Sequence, residues 1–427
     1  VSNILMKCVI NRRAQFCASH RYWLQQLSEA ENIEKFGARA KFPGQGHNYV
    51  LFISLGGELN EYGMVLNLSD VKHLIKREVT NQLDLSYLND VWADFEETLP
   101  TTENIARIIW QRLASHLPLV RVQLFEHSQL WADYMGEGME ADLTISTHFS
   151  AGHRLAPNIN PEKYGKCTRT HGHNYHLEIT VKGKIDPRTG MIVDVDALKR
   201  VVEDYAVEPL DHSYLNKDIP YFAEIVPTTE NISLYINNLL TSPIQKLGVE
   251  LYKVRLFESH ELWADYTRNG TETYFTVSTY FSAAHRLADL SLSQEKNTEI
   301  YGKCARPHGH GHNYYLEVTV KGQIDPTTGM IVDLGALNQI IKDYAVEPFD
   351  HTFINEDIPY FAKVVPTSEN IALYISNLLQ SPIQKLGAQL YKVKLFESPN
   401  NSCEIYCIES ESNLISAVVN QPVLAQL

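Results

Sequence analysis

At 427 residues and a formal charge of −14, the chain is too long for one ordinary domain and too acidic for a surface that neutralises nucleic-acid phosphates. With 44% hydrophobic and 21% charged residues it reads as a soluble globular protein, and no apolar run approaches the roughly 18 residues a membrane helix needs. Six irregularly spaced cysteines are no disulfide framework, and the first residues lack the basic segment and apolar core of a signal peptide, so a reduced, cytoplasmic setting is expected.

Taken in chain order, the segments announce a threefold repeat with a period of about 130 residues. FCASHRY around His20 returns as FSAGHRL around His153 and as FSAAHRL around His285. GHNY recurs at Gly46, Gly172 and Gly311, and YGKC ends at Cys167 and again at Cys304. The first copy's SLGGELNEYGMVLNLSDV from Ser54 becomes VKGKIDPRTGMIVDVDAL from Val181 and VKGQIDPTTGMIVDLGAL from Val320. LDLSYLN, LDHSYLN and FDHTFIN follow from Leu83, Leu210 and Phe349; PTTEN or PTSEN starts at Pro100, Pro227 and Pro366; LFE closes each copy at Glu126, Glu258 and Glu397.

Within a copy, HNYHLEITVKG alternates apolar and polar residues, and the AspPro-x-ThrGly turn before a second β-rich run predicts a hairpin there. DALKRVVEDYAVEPL and PTTENISLYINNLL carry apolar residues at helical spacing, with Thr228 or Thr229 as N-cap of the second. ELYKVRLFES and ELWADYT close the copy as a strand pair. Each copy therefore reads ββααββ, an α+β layer with two helices on one face of an antiparallel sheet. Open sheet edges invite neighbouring copies to pair, so three copies can close one pseudo-trimeric barrel with its helices outside. The expected divisions are 1–138, 139–268 and 269–410, with a tail at 411–427; the short joins argue against three beads on flexible linkers.

Three histidines per copy carry the chemistry. His171 and His173, at i and i+2 on a strand, share a face on which His153 can join them; His285, His310 and His312 repeat the set. Three neutral imidazoles leave one tetrahedral position open, as at catalytic zinc. HisGlyHisGlyHis offers a second register through His308, and anchoring on the following AsnTyr selects His310 and His312. Cys167 and Cys304, just upstream, are read as a fourth ligand, as a base with a depressed pKa, or as merely buried thiols. Asp211 with His212 and Asp350 with His351 have the form of a carboxylate orienting an imidazole, or are ordinary surface. Glu258 and Glu397 are strand ends or, if buried, receptors for a heterocycle that presents paired N–H donors.

This ordered set resembles the 6-pyruvoyltetrahydropterin synthase family, which includes 6-carboxytetrahydropterin synthases of queuosine biosynthesis, over nearly the whole chain to about residue 407. The resemblance implies a zinc-dependent lyase acting on 7,8-dihydroneopterin triphosphate, the alternative being a non-catalytic pterin- or purine-binding zinc module. By position, His153, His171 and His173 would hold one zinc and His285, His310 and His312 another; Cys167 and Cys304 would be proton-abstracting bases, and Asp211–His212 and Asp350–His351 further acid–base pairs. Glu258 and Glu397 would anchor the pterin, with Thr228, Glu230, Thr367 and Glu369 lining the pocket. Cysteine spacing differs between copies, C-x(3)-HGH against C-x(5)-HGH, and leaves the product open.

The first copy has Arg39 at the cysteine position, Gln45 at the middle ligand and Leu85 at the AspHis histidine, so it is expected to bind zinc poorly and to serve structurally. The family assembles as trimeric rings, often stacked in pairs, which implies a homodimer of pseudo-trimeric chains. If AspHis crossed to the neighbouring copy in the ring one complete site would result; if each copy is self-contained there are two. The expectation is about two zinc ions per chain with one fully equipped site.

Overall fold

A computed structural model describes residues 4–155, 161–267 and 273–409; the expected join at 268 and the tail from 411 lie outside them. Twelve strands form its frame. The first unit supplies β1 (Ile4–His20), β2 (Gln45–Gly57), β3 (Leu119–His127) and β4 (Leu130–Tyr134). The second supplies β5 (Glu140–His153), β6 (His171–Lys184), β7 (Glu250–Ser259) and β8 (Leu262–Thr267). The third supplies β9 (Thr273–His285), β10 (His310–Gly322), β11 (Gln389–Ser398) and β12 (Asn401–Glu409). Each strand pairs antiparallel with its successor, and β12 returns to β1 from Ile4↔Glu409 to Arg12↔Asn401. The sheet is a closed barrel, and closure removes every free edge.

Two helices per unit cover the outside: α1 (Leu68–Ile75) and α2 (Thr102–Leu113), α3 (Val195–Val202) and α4 (Thr229–Gln245), α5 (Leu334–Ile341) and α6 (Ser368–Lys385). The second helix of each pair starts at a threonine cap, Thr101, Thr228 or Thr367, whose side chain accepts from the backbone of an asparagine three residues on. Along α4, Ile232, Ile236, Leu240 and Ile244 are spaced by four and fully buried among Leu177, Ile179, Val254 and Leu256. Burial of that kind contributes about 1.5–3 kcal/mol per side chain before conformational entropy is charged against it.

Alternate strand residues face away from the helices, and they are polar. Arg121, Gln123, Glu178, Lys253, Arg255, Lys392, Lys394 and Glu404 are all buried there. Glu404 accepts from Asn11 Nδ2 at 3.0 Å and lies 3.5 Å from Lys394, 3.7 Å from Arg121 and 3.8 Å from Lys392. Against the burial that would raise it, the charges of Lys392, Lys394 and Arg121 hold its pKa down to about 2. This network joins β3, β11 and β12 across the seam where the chain's two ends meet.

The hairpin expected after AspPro-x-ThrGly is not formed. The turn itself exists: Asp186 Oδ1 accepts from Arg188 N and Thr189 N. The apolar run that follows, Met191–Val193, is not a strand but lies on the preceding unit. Thr101 Oγ1 donates to Gly190 O, and Ile192 N donates to Glu103 Oε1 at 3.0 Å. The other seams repeat this. Thr228 donates to Gly329 O (2.6 Å) and Ile331 N to Glu230 (3.2 Å); Thr367 donates to Gly63 O (2.7 Å) and Val65 N to Glu369 (3.3 Å). Glycine is required at these contacts: Gly190, Gly329 and Gly63 all have φ between 70° and 76°, and a Cβ on Gly190 would stand 2.7 Å from Leu99 O.

Candidate active site

The histidines come together through strand register. His153 ends β5 opposite His171, and His173 sits two residues along β6 opposite Ala151, so three rings share one end of the hairpin. Candidate ligand atoms of His153, His171 and His173 lie within 4.8 Å of one another, as do those of His285, His310 and His312. His308 stays outside the set.

Second partners orient the rings. His153 Nδ1 lies 2.7 Å from Pro227 O, His171 Nδ1 2.8 Å from Arg169 O, and His285 Nδ1 2.9 Å from Pro366 O. A carbonyl only accepts, so these Nδ1 atoms carry the proton and the lone pair is on Nε2. The Nε2 atoms of His153, His173 and His312 are buried without a hydrogen-bond partner. His285 Nε2 and His310 Nε2 approach to 3.2 Å, a contact that asks for a proton or a cation between them. Burial, helped by the neighbouring imidazoles, lowers the pKa of His285 to about 3 and of His312 to about 4, and burial lowers those of His153 and His173 too. Neutral, convergent, pre-oriented imidazoles fit a divalent cation such as zinc.

A carboxylate stands beside each triplet. Glu258 Oε1 is 3.6 Å from His173 Nε2, and Glu397 Oε1 is 3.5 Å from His285 Nε2 and 3.9 Å from His312 Nε2. Thr229 Oγ1 donates to Glu258 Oε2 at 2.5 Å, and Ser368 bonds Glu397 in the same manner. These two hydroxyls were missed in the sequence, although PTTEN and PTSEN contain them. The named threonines, Thr228 and Thr367, are the helix caps and seam donors. Glu230 and Glu369 also face the seam, with burial pushing both up to about 7.

Cys167 and Cys304 lie on short 3₁₀ turns, Gly165–Thr168 and Gly302–Ala305, tied to the triplet's strand by Leu155 N→Cys167 O and Leu287 N→Cys304 O, both 3.0 Å. The expected depressed thiol pKa is reversed in the protein alone. Burial first, then the charges of Glu258 and Glu397, push the two thiols up.

The AspHis pairs belong to their own units. Asp211 Oδ1 accepts from Ser150 N, its Oδ2 lies 2.6 Å from His212 Nδ1, and His212 N donates to Ser150 O. Asp350 and His351 repeat this on Ser282. Both histidines have positive φ, 55° and 59°, and side chains more than four-fifths exposed. None of these bonds reaches a triplet, and the pairs do not cross to the neighbouring unit in the ring. What does cross is the segment after AspPro-x-ThrGly: the second unit's site meets the third unit's Met330–Ile331, and the third's meets the first's Met64–Val65.

In the first unit His20, His47 and Glu126 have ligand atoms within 4.8 Å of one another, but the rings have relaxed. His20 Nδ1 pairs with Tyr49 Oη at 2.8 Å, and the His20 and His47 planes stack at 24°, where the matching pairs in the other units stand at 81°.

The sequence profile for 6-pyruvoyl tetrahydropterin synthase matches residues 9–137, 142–269 and 274–407. The chain belongs to that family. Membership makes it a lyase, carrying three family units in tandem. Similar proteins include the 6-pyruvoyl tetrahydrobiopterin synthase of Pongo abelii, 50% identical over 121 residues that are 28% of this chain and 82% of the relative. A putative 6-carboxy-5,6,7,8-tetrahydropterin synthase of Archaeoglobus fulgidus is 35% identical over 30% of this chain and 97% of its own length. The solved Caenorhabditis elegans 6-pyruvoyl tetrahydropterin synthase aligns over 31% of this chain and 94% of its own, with 38% identity and a TM-score of 0.30. No helix among the described residues is long and apolar enough to cross a membrane.

Proposed function

We propose that the chain is a zinc-dependent synthase that converts 7,8-dihydroneopterin triphosphate to a 6-substituted tetrahydropterin at two sites, one built on the second unit and one on the third. The observation that carries this is the pair of imidazole triplets, His153 and His173 in one and His312 in the other leaving a buried Nε2 without a hydrogen-bond partner, each triplet beside a carboxylate and a thiol-bearing turn. His153, His171 and His173 would hold one zinc, His285, His310 and His312 the other; bound there, the metal would supply Lewis acidity toward the substrate's side-chain hydroxyls.

The protein groups divide the remaining work. Glu258 and Glu397 accept the pterin's ring amide and amino N–H groups, Thr229 and Ser368 keeping each carboxylate aimed. Cys167 and Cys304, neutral when no cation is near, exchange protons with the substrate side chain once positive charge in the site offsets burial. Asp211 and Asp350 hold the tautomer of His212 and His351 that leaves Nε2 free for proton relay. Those imidazoles are exposed, His212 lining an open cavity with His173, and a homodimer of rings stacked at that end of the barrel would cover them. The higher identity to 6-pyruvoyl than to 6-carboxy synthases favours the pyruvoyl product and tetrahydrobiopterin synthesis over the queuosine branch. Six unbridged cysteines suit the cytoplasm.

Incubating metal-analysed protein with 7,8-dihydroneopterin triphosphate and identifying the product by mass tests the reading. About two zinc ions per chain and release of triphosphate are expected. Tight pterin binding with no product would favour the non-catalytic binding module.

A further inference from the structure

The first unit has lost its thiol, its middle imidazole and its AspHis histidine, yet its site has not filled in. A cavity of about 610 Å³ opens between the first and second units, lined by Tyr22, Arg39, His47, Thr102, Glu103 and Glu126 among others. At its base Glu126 is 6% exposed and accepts from Thr102 Oγ1 at 2.6 Å, the same bond that Thr229 makes to Glu258. His47 Nε2, 3.4 Å from Glu126 Oε1, is buried with no hydrogen-bond partner. Buried carboxylates and orphaned ring nitrogens cost desolvation free energy, and a unit kept only as scaffold has no reason to hold them around an open cavity.

The substitutions at the mouth are coordinated. Arg39 stands where the other units have Cys167 and Cys304, and across the seam Asp196 stands where they face Gly335 and Ser69. Arg39 Nη2 and Asp196 Oδ1 meet at 3.0 Å, an ion pair made only at this one of the three seams. Lys35 and Lys199 also line the cavity, so the three cations there outnumber the two rim carboxylates, Asp194 and Asp196, while the floor is an acceptor carboxylate. The floor suits a planar heterocycle with adjacent N–H donors, and the rim suits an anionic substituent on it.

We infer that the first unit is a third pterin site that binds without converting: Glu126 receives the ring, Arg39 and the neighbouring lysines receive a phosphorylated side chain, and the thiol and AspHis imidazole of the other two units are absent. This rests on the reading that Glu258 and Glu397 anchor pterin in the other units. Occupancy links the first two units across their seam, because Arg39 and Asp196 come from opposite sides of it.

Calorimetric titration with neopterin tests this without relying on any one variant. The unaltered chain should bind three neopterins, the Glu258→Gln/Glu397→Gln chain one, and the chain that also carries Glu126→Gln none. In the Glu258→Gln/Glu397→Gln background, Arg39→Ala should weaken neopterin triphosphate at least tenfold and neopterin little. Two neopterins on the unaltered chain and none on the double variant overturn the inference while leaving the two-site synthase intact. One neopterin on both the double and the triple variant overturns the role of Glu126. An unaltered chain that binds none and forms no product removes the synthase reading itself, and this one with it.

Discussion

Leu85 holds a φ of 56° and is 88% exposed, where the other units have His212 and His351. Its backbone repeats theirs: Leu85 N donates to Cys17 O, and Asp84 Oδ1 accepts from Cys17 N. A left-handed conformation costs an ordinary L-residue about 1–2 kcal/mol, less for asparagine, so the loop keeps the strain after losing the imidazole. Leu85→Asn should stabilise the protein by about 1 kcal/mol, read as a higher unfolding temperature, whereas Leu85→Ala leaves the strain in place. The cysteines report on site number. Since AspHis does not cross the ring, Cys167→Ala and Cys304→Ala should each remove a separate share of turnover, the shares summing to the whole, and the double variant should fall by about 10²-fold or more. One variant silent and the other dead would mean a single working site.

The elements show where the sequence could be read and where it could not. Strand pairs and helices follow from periodicities of two and 3.6, and the histidine face from i, i+2 spacing, so the barrel and both triplets were legible. Met191–Val193 was misread as a strand because part of its apolar surface is buried by another unit: Met191 packs with Tyr22 and Leu99, while Val193 stays in its own unit's core. Periodicity reports that a residue is buried, not by whom. The three equivalent seams bury Glu103, Glu230 and Glu369, one at each, and burial pushes the pKa of each from 4.5 up to about 7. Folded chains therefore keep protons on these carboxyls, between pH about 4.5 and 7, that unfolded chains release. Their stabilising contribution is complete below pH 4.5 and is lost as pH rises through 7. Glutamine mimics the neutral acid, so the Glu103→Gln/Glu230→Gln/Glu369→Gln chain should gain unfolding temperature relative to the unaltered chain between pH 4.5 and 7.5. A difference that stays constant with pH would show that these carboxyls ionise alike folded and unfolded.

At the scale of the molecule, joining three units in one chain makes ring closure intramolecular. β1 pairs with β12 over nine residues, and Glu404 ties that seam to β3 and β11, so the barrel needs no second chain to form. Fusion also lets the units diverge, since a loss in the first is not copied into the other two. The triplets, carboxylates and closing segments are all supplied within one ring, while His212 and His351 stand more than four-fifths exposed on it. Dilution should separate these contributions. If rings stack through the AspHis end, dilution that takes the mass from twice 48.6 kDa to a single chain should leave bound metal and pterin affinity unchanged and lower turnover per chain. Sedimentation alongside initial rates at each concentration measures both. Full turnover in the isolated chain would mean that each AspHis pair serves its own unit's site, and that stacking adds nothing to the chemistry.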